Sequence, residues 1–205
     1  MPKEKKILLV LGKDKIISKY LHENKFSKNI HIRLDNSNTI GRIIKLLKGR
    51  RISIKFLIKT LLCEMMRKHF PISKNLKTVN NNYEIEKVIL ELKPDIIVLF
   101  RAGLIINKRV LSFNIPIYNI HCAKIPEFGG LGAIDKAIKR KILCQAACLY
   151  KISSTIDDGI ILSERKYFLN LKKSYFFNEN IAYQTGLDLL SETLNKSSNI
   201  FELFN

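Results

Sequence analysis

The sequence predicts an α/β protein, a Rossmann-like and mostly parallel sheet flanked by helices. Three observations carry that reading. Short apolar runs such as Ile7-Leu8-Leu9-Val10-Leu11 and Ile96-Ile97-Val98-Leu99-Phe100 show no alternation, as expected for strands covered on both faces. Turn residues, Gly12 after the first run and Arg101-Ala102-Gly103 after the second, close them. Segments with helical spacing lie between the runs, the order that builds parallel sheets.

Taken in chain order, residues 6–11 form a first buried strand. Residues 14–24 form a helix with Ile16, Ile17, Tyr20 and Leu21 on its apolar side and Asp14 near its positive N-terminus. Residues 30–34 alternate as a second strand. Residues 38–70 turn helical and basic, forming an insert. One stripe holds Ile40, Ile43, Ile44, Leu46 and Leu47, and Gly49-Arg50-Arg51 breaks it. A second stripe takes in Phe56, Leu57, Leu61, Leu62, Met65 and Met66, until Pro71 ends it. Residues 83–92 are helical, 96–100 a buried strand, and a short helical piece surrounds Arg109. Residues 116–121 form the next strand and 133–141 a helix. Residues 142–150 and 160–169 read as two strands joined by a loop, and 181–194 as a closing helix. The whole, 1–205, reads as one domain.

The net charge of +18 points to anionic partners, although Lys, Ile and Asn are abundant throughout and a Lys-rich surface needs no polyanion. Nucleic acid is not the expected partner, because the basic helices lack interleaved aromatics or a known binding motif. Peripheral membrane contact through those helices stays open. No apolar run approaches the roughly 20 residues of a membrane span. The N-terminus, Met1-Pro2-Lys3-Glu4-Lys5-Lys6, leads straight into a strand without a secretory signal, so a cytoplasmic location is expected. Cys63, Cys122, Cys144 and Cys148 show no paired spacing, so neither a disulfide framework nor a metal site is expected.

The chemistry concentrates between residues 118 and 162. Asn119-Ile120-His121 ends one strand, Pro126-Glu127-Phe128-Gly129-Gly130 follows, and Ile156-Asp157-Asp158-Gly159 comes about thirty residues later. An amide, an imidazole and a carboxylate are the groups needed to move an acyl group onto an amine. The amide N–H can hold a developing oxyanion, and the imidazole handles protons near neutral pH. In an α/β sheet, residues at the carboxyl ends of strands meet, so Gly103, His121 and Asp157 are expected in one cleft.

The run from Asn119 through His121 and Pro126 to Gly130 resembles the Asn-x-His-x-x-x-x-Pro-x-x-x-Gly signature of folate-dependent formyltransferases. Ile156-Asp157-Asp158-Gly159-Ile160-Ile161-Leu162 resembles their second signature, and Lys93-Pro94-Asp95 through Gly103 resembles the strand before their folate pocket. The resemblance covers roughly residues 90–165. It implies transfer of a formyl group from 10-formyltetrahydrofolate, as co-substrate and without a metal, to a small primary amine. Asn119 would donate to the formyl oxygen, His121 would shuttle protons, and Asp157 would set the imidazole's protonation. The donor would lie along Ala102, Gly103, Leu104, Ile105 and Ile106, with Thr155 and Ile156. The acceptor would meet Pro126, Gly129, Gly130, Arg50 and Arg51. The sequence departs from the family pattern at Cys122-Ala123 and at Phe128-Gly129. A nucleophilic role for Cys122 is not expected, because neighbours on a strand point to opposite faces.

Three acceptor classes belong to the family. Glycinamide ribonucleotide formyltransferases carry a Gly/Ser/Asn-rich phosphate loop after the first strand, where this sequence reads Gly12-Lys13-Asp14-Lys15. Methionyl-tRNA formyltransferases add a C-terminal barrel, and this sequence ends at Asn205 after its closing helix. Sugar N-formyltransferases act on amino sugars linked to nucleotide diphosphates, and the basic insert suits such a phosphorylated acceptor. An amino sugar of polysaccharide precursors is therefore the expected acceptor. A module that binds folate or a nucleotide sugar without turnover is the alternative from another functional class. The oligomeric state stays open.

Overall fold

Unbroken apolar strands need cover on both faces, and the computed structural model, which describes residues 5–153 and 159–195, provides it. The strands are β1 (Ile7–Gly12), β2 (Ile30–Asp35), β3 (Thr78–Val79), β4 (Ile96–Phe100), β5 (Ile117–His121), β6 (Cys144–Lys151) and β7 (Ile161–Phe168). They form one sheet in the order β3-β2-β1-β4-β5-β6-β7. The pairs from β3 to β5 are parallel, whereas β6 and β7 join antiparallel. The predicted α/β class holds.

The helices are α1 (Lys15–Glu23), α2 (Ile40–Lys48), α3 (Ile54–Met66), α4 (Asn82–Leu92), α5 (Lys108–Leu111), α6 (Ala133–Lys139) and α7 (Tyr175–Asn195). Ile7, Leu9 and Leu11 belong to one core with Ile17 of α1 and Leu187 and Leu190 of α7. Leu8 and Val10 belong to the other, with Ile85 and Ile89 of α4. Every residue of β1 is buried, and its period-2 alternation divides the strand between the two cores.

Several ends differ from expectation for local reasons. The helix expected at 133–141 stops at Lys139. Lys141 takes a left-handed φ of 57°, its N–H reaches Ile138 and that of Ile142 reaches Ala137, a Schellman-type closure. The helix expected from 181 begins at Tyr175 instead. Tyr175-Phe176-Phe177 has strand-like composition, but Ser174 Oγ accepts from the N–H of Phe177 and caps the turn. Buried Asn178 then locks that turn to Asn170 by donating to its carbonyl at 2.9 Å. The two-residue β3 has no apolar run to announce it.

The strand order reverses at β1, between β2 and β4, and such a switch point opens a crevice at the carboxyl ends of the strands. There β1 and the turn after β4 approach closely. A Cβ on Gly12 would lie 2.5 Å from the Arg101 carbonyl oxygen, so only glycine fits.

Candidate active site

Strand β5 aims its polar residues by alternation. Ile117 packs in the α4-side core, so Asn119 and His121 share that face, while Tyr118 and Ile120 belong to the opposite core. In the antiparallel β5–β6 register Asn119 stands opposite Tyr150, and the Asn119 amide donates to the phenol oxygen at 2.8 Å. One of the two N–H bonds is thereby fixed and the plane of the amide with it. The Nε2 of His121 lies 2.9 Å from the carbonyl oxygen of Phe128. A carbonyl only accepts, so in this arrangement Nε2 carries the proton.

Both side chains border a cavity of about 690 Å³ at the carboxyl ends of β4 and β5. That volume suits a drug-sized ligand. Ala102, Gly103, Leu104, Ile105 and Ile106 form one of its walls, and Gly130, Leu131 and Gly132 form another. The basic insert supplies a third through Arg42, Leu46, Arg51 and Phe56. Pro126, Gly129 and Arg50 are not among the lining residues, although Gly129 accepts from Lys136 Nζ at 3.3 Å. Thr155, Ile156 and Asp157 lie outside the described residues.

The 101–106 wall is held from behind by an acid that the sequence reading did not single out. Buried Asp35, the last residue of β2, accepts from the N–H groups of Gly103 at 2.5 Å, Leu104 at 3.0 Å and Ser37 at 2.8 Å. Arg42 donates to the Gly103 carbonyl from the other side and to Ser37 Oγ at 3.1 Å. A Cβ on Gly103 would come within 2.4 Å of the Asn38 side-chain amide, so a larger residue there would have to displace that exposed side chain. Arg101 donates to Asp14 at 2.7 Å and stacks on Tyr183, 3.7 Å from the ring centroid. Asp14 thus caps α1 with one oxygen and pins Arg101 with the other. A strand-end acid followed by turn residues was the available signal for Asp35. Nothing local marks Tyr150, whose role depends on strand pairing.

The described lining residues include Arg42, Arg51 and Lys136, besides Arg101, whose charge is answered by Asp14, but no Asp or Glu. The field in the cavity therefore favours anions. Cys122 belongs to the α7-side core, where burial pushes its thiol up to about 12. At neutral pH it is a protonated, weak nucleophile. Burial likewise pushes Cys148 up to about 12. Among the described residues no cluster of three metal-ligating side chains forms.

This sheet order and crevice define an α/β fold found in solved formyltransferases. A phosphoribosylglycinamide formyltransferase from Streptococcus pneumoniae aligns with 96% of this chain and 100% of its own, at a TM-score of 0.63 and 17% identity. A 4-N formyltransferase from Francisella tularensis aligns with 95% of this chain and 69% of its own, also at 0.63, with 12% identity. In sequence, a methionyl-tRNA formyltransferase from Sulfurihydrogenibium is 27% identical over 136 residues, 65% of this chain and 43% of that protein. The chain spans less than half the length of that relative. No family model matches the sequence. The sequence relatives are thus methionyl-tRNA formyltransferases at modest identity over part of the chain, and the solved formyltransferases share its fold. Among the described residues no helix is long and apolar enough to cross a membrane.

Proposed function

We propose that the protein transfers a formyl group from 10-formyltetrahydrofolate to a primary amine, and that the amine belongs to an amino sugar carried on a nucleotide diphosphate. The observation that carries this reading is the placement of Asn119 and His121 on one face of β5, at the rim of a cavity whose charged lining is cationic. In this reading the donor lies along the wall at 101–106, against the apolar side chains of Ala102, Leu104, Ile105 and Ile106. Its carboxylates suit the positive field, as does a diphosphate on the acceptor.

The residues divide the work as follows. Asn119, its amide oriented by Tyr150, offers an N–H to the formyl oxygen as negative charge builds there. His121 moves the proton: the acceptor nitrogen loses it when the new C–N bond forms, and the donor nitrogen gains it when the old C–N bond breaks. Asp157 sets the charge on the imidazole. The cavity walls hold both reactants in register, which supplies much of the acceleration because no covalent enzyme intermediate is needed.

The test is a panel of primary amines (nucleotide-linked amino sugars, glycinamide ribonucleotide and methionyl-tRNA) with 10-formyltetrahydrofolate, following tetrahydrofolate release. Turnover with the amino sugars alone is expected. Turnover confined to methionyl-tRNA, the substrate named for the sequence relatives, would replace the acceptor. Donor binding without turnover on any amine would instead favour the non-catalytic module.

A further inference from the structure

Helix α3 is apolar on two opposite sides. Toward the domain it turns Phe56, which packs 3.4 Å from a Cβ placed on Gly132, and Cys63, which is buried. Polar ties secure that side: Lys59 to Asp135 at 2.5 Å, Glu64 to the N–H of Lys15 at 2.7 Å, and Arg67 to Glu179 at 2.5 Å. Toward solvent it presents Ile54, Ile58, Leu61, Leu62, Met65 and Met66, each more than half exposed. Those positions follow the i, i+4, i+7, i+8, i+11, i+12 rhythm of one continuous helical face. On α2, Ile40 is 78% exposed and Ile44 is 46% exposed. Soluble surfaces rarely leave so long an apolar stripe uncovered without a binding role.

We infer that this face of the insert docks on an anionic lipid bilayer. Charge selects that occupant. Residues 40–69 hold nine lysines and arginines against one acid, Glu64, and Glu64 is engaged by Lys15 and Arg67 on the domain side. A second copy meeting this face would set cations against cations, with no acid to answer them. Nucleic acid would match the charge but leave aliphatic side chains against phosphate and sugar. A bilayer with anionic headgroups satisfies both features. The stripe enters the acyl boundary, while exposed Lys48, Lys55 and Lys68 meet the phosphates. The opposite side of the same insert lines the cavity, so docking would hold the site beside the membrane surface. The inference does not depend on formyl transfer.

The full chain is sedimented with vesicles of phosphatidylcholine alone and of phosphatidylcholine mixed with phosphatidylglycerol. Affinity for the mixed vesicles is expected to be at least about tenfold higher and to fall with salt. Leu61→Gln with Met65→Gln, and separately Lys48→Glu with Lys55→Glu, should each lower it about tenfold or more while circular dichroism stays unchanged. The second pair alters only exposed lysines, so it decides the matter even where the first misfolds. Failure to bind either vesicle, or binding indifferent to the charge pair, overturns the inference. So does a concentration-dependent dimer in sedimentation velocity that the Leu61/Met65 pair dissolves.

Discussion

Asn119 and Tyr150 face one another across the β5–β6 pair, and the amide of the first donates to the phenol oxygen of the second at 2.8 Å. The phenol is buried, so Tyr150→Phe would leave the amide N–H without that acceptor and loosen its aim. A fall in kcat of about tenfold is expected, with the KM for the formyl donor within about twofold. Steady-state kinetics with both substrates varied measure the split. An equal rise in KM with unchanged kcat would make Tyr150 a binding residue only.

His121 has no neighbour that can take over proton transfer from the same strand face, since Asn119 does not titrate. His121→Ala should lower kcat by about a hundredfold or more while donor binding, followed by tryptophan-free fluorescence of the folate itself, changes little. Asp157→Asn is expected to act in the same direction. Rates unchanged in both variants would remove the proposed mechanism.

What was legible in the sequence was what short-range rules encode. The apolar strands at 7–11 and 96–100, Asp14 at the start of α1 and the pairing of Asn119 with His121 on one face follow from period and composition. The role of Tyr150 was not legible and that of Asp35 only as a strand-end acid, because Asn119 and Gly103, their partners across the site, lie 31 and 68 residues away and depend on strand order. Alternation could place Tyr150 on one face of β6 but not opposite Asn119. The basic insert showed its amphipathic stripe, but not that one side of α3 would wall the cavity while the other stayed in solvent.

Asp35 accepts three backbone N–H groups and stands behind the wall at 101–106. Asp35→Asn would replace an acceptor oxygen with a donor facing N–H groups, costing about 2–3 kcal/mol. Thermal unfolding should register that loss, and the donor KM should rise more than the acceptor KM. If both substrates weaken equally, the wall is scaffold for the whole site.

Asp135 gives the pH dependence a definite sign. Burial alone would raise its pKa, but hydrogen bonds from Lys139 and Lys59, at 2.6 and 2.5 Å, outweigh it and hold the carboxyl below its usual value. A depressed folded-state pKa stabilises the protein above the unfolded value of about 3.9, and that contribution disappears as pH falls through the folded value. Because the lysine side chains are 38% and 68% exposed, screening limits the effect to about 1 kcal/mol. Denaturant titrations should show Asp135→Asn less stable than the parent at pH 7, with the gap closing below about pH 4. A gap constant with pH would mean that packing, not charge, is lost.

Cys122 follows His121 directly, yet its chemistry should be silent. A Cβ on Gly186 would come within 2.6 Å of its sulfur and 2.8 Å of the Phe100 ring, which shows how tightly α7 closes over it. With the thiol pushed up to about 12, only a trace is ionised at pH 8. Iodoacetamide at that pH is expected to leave activity intact. Cys122→Ala should keep kcat within about twofold while lowering stability by about 1 kcal/mol through the small cavity it leaves. Loss of turnover in a folded Cys122→Ala protein, together with inactivation by alkylation, would instead give the sulfur a covalent role.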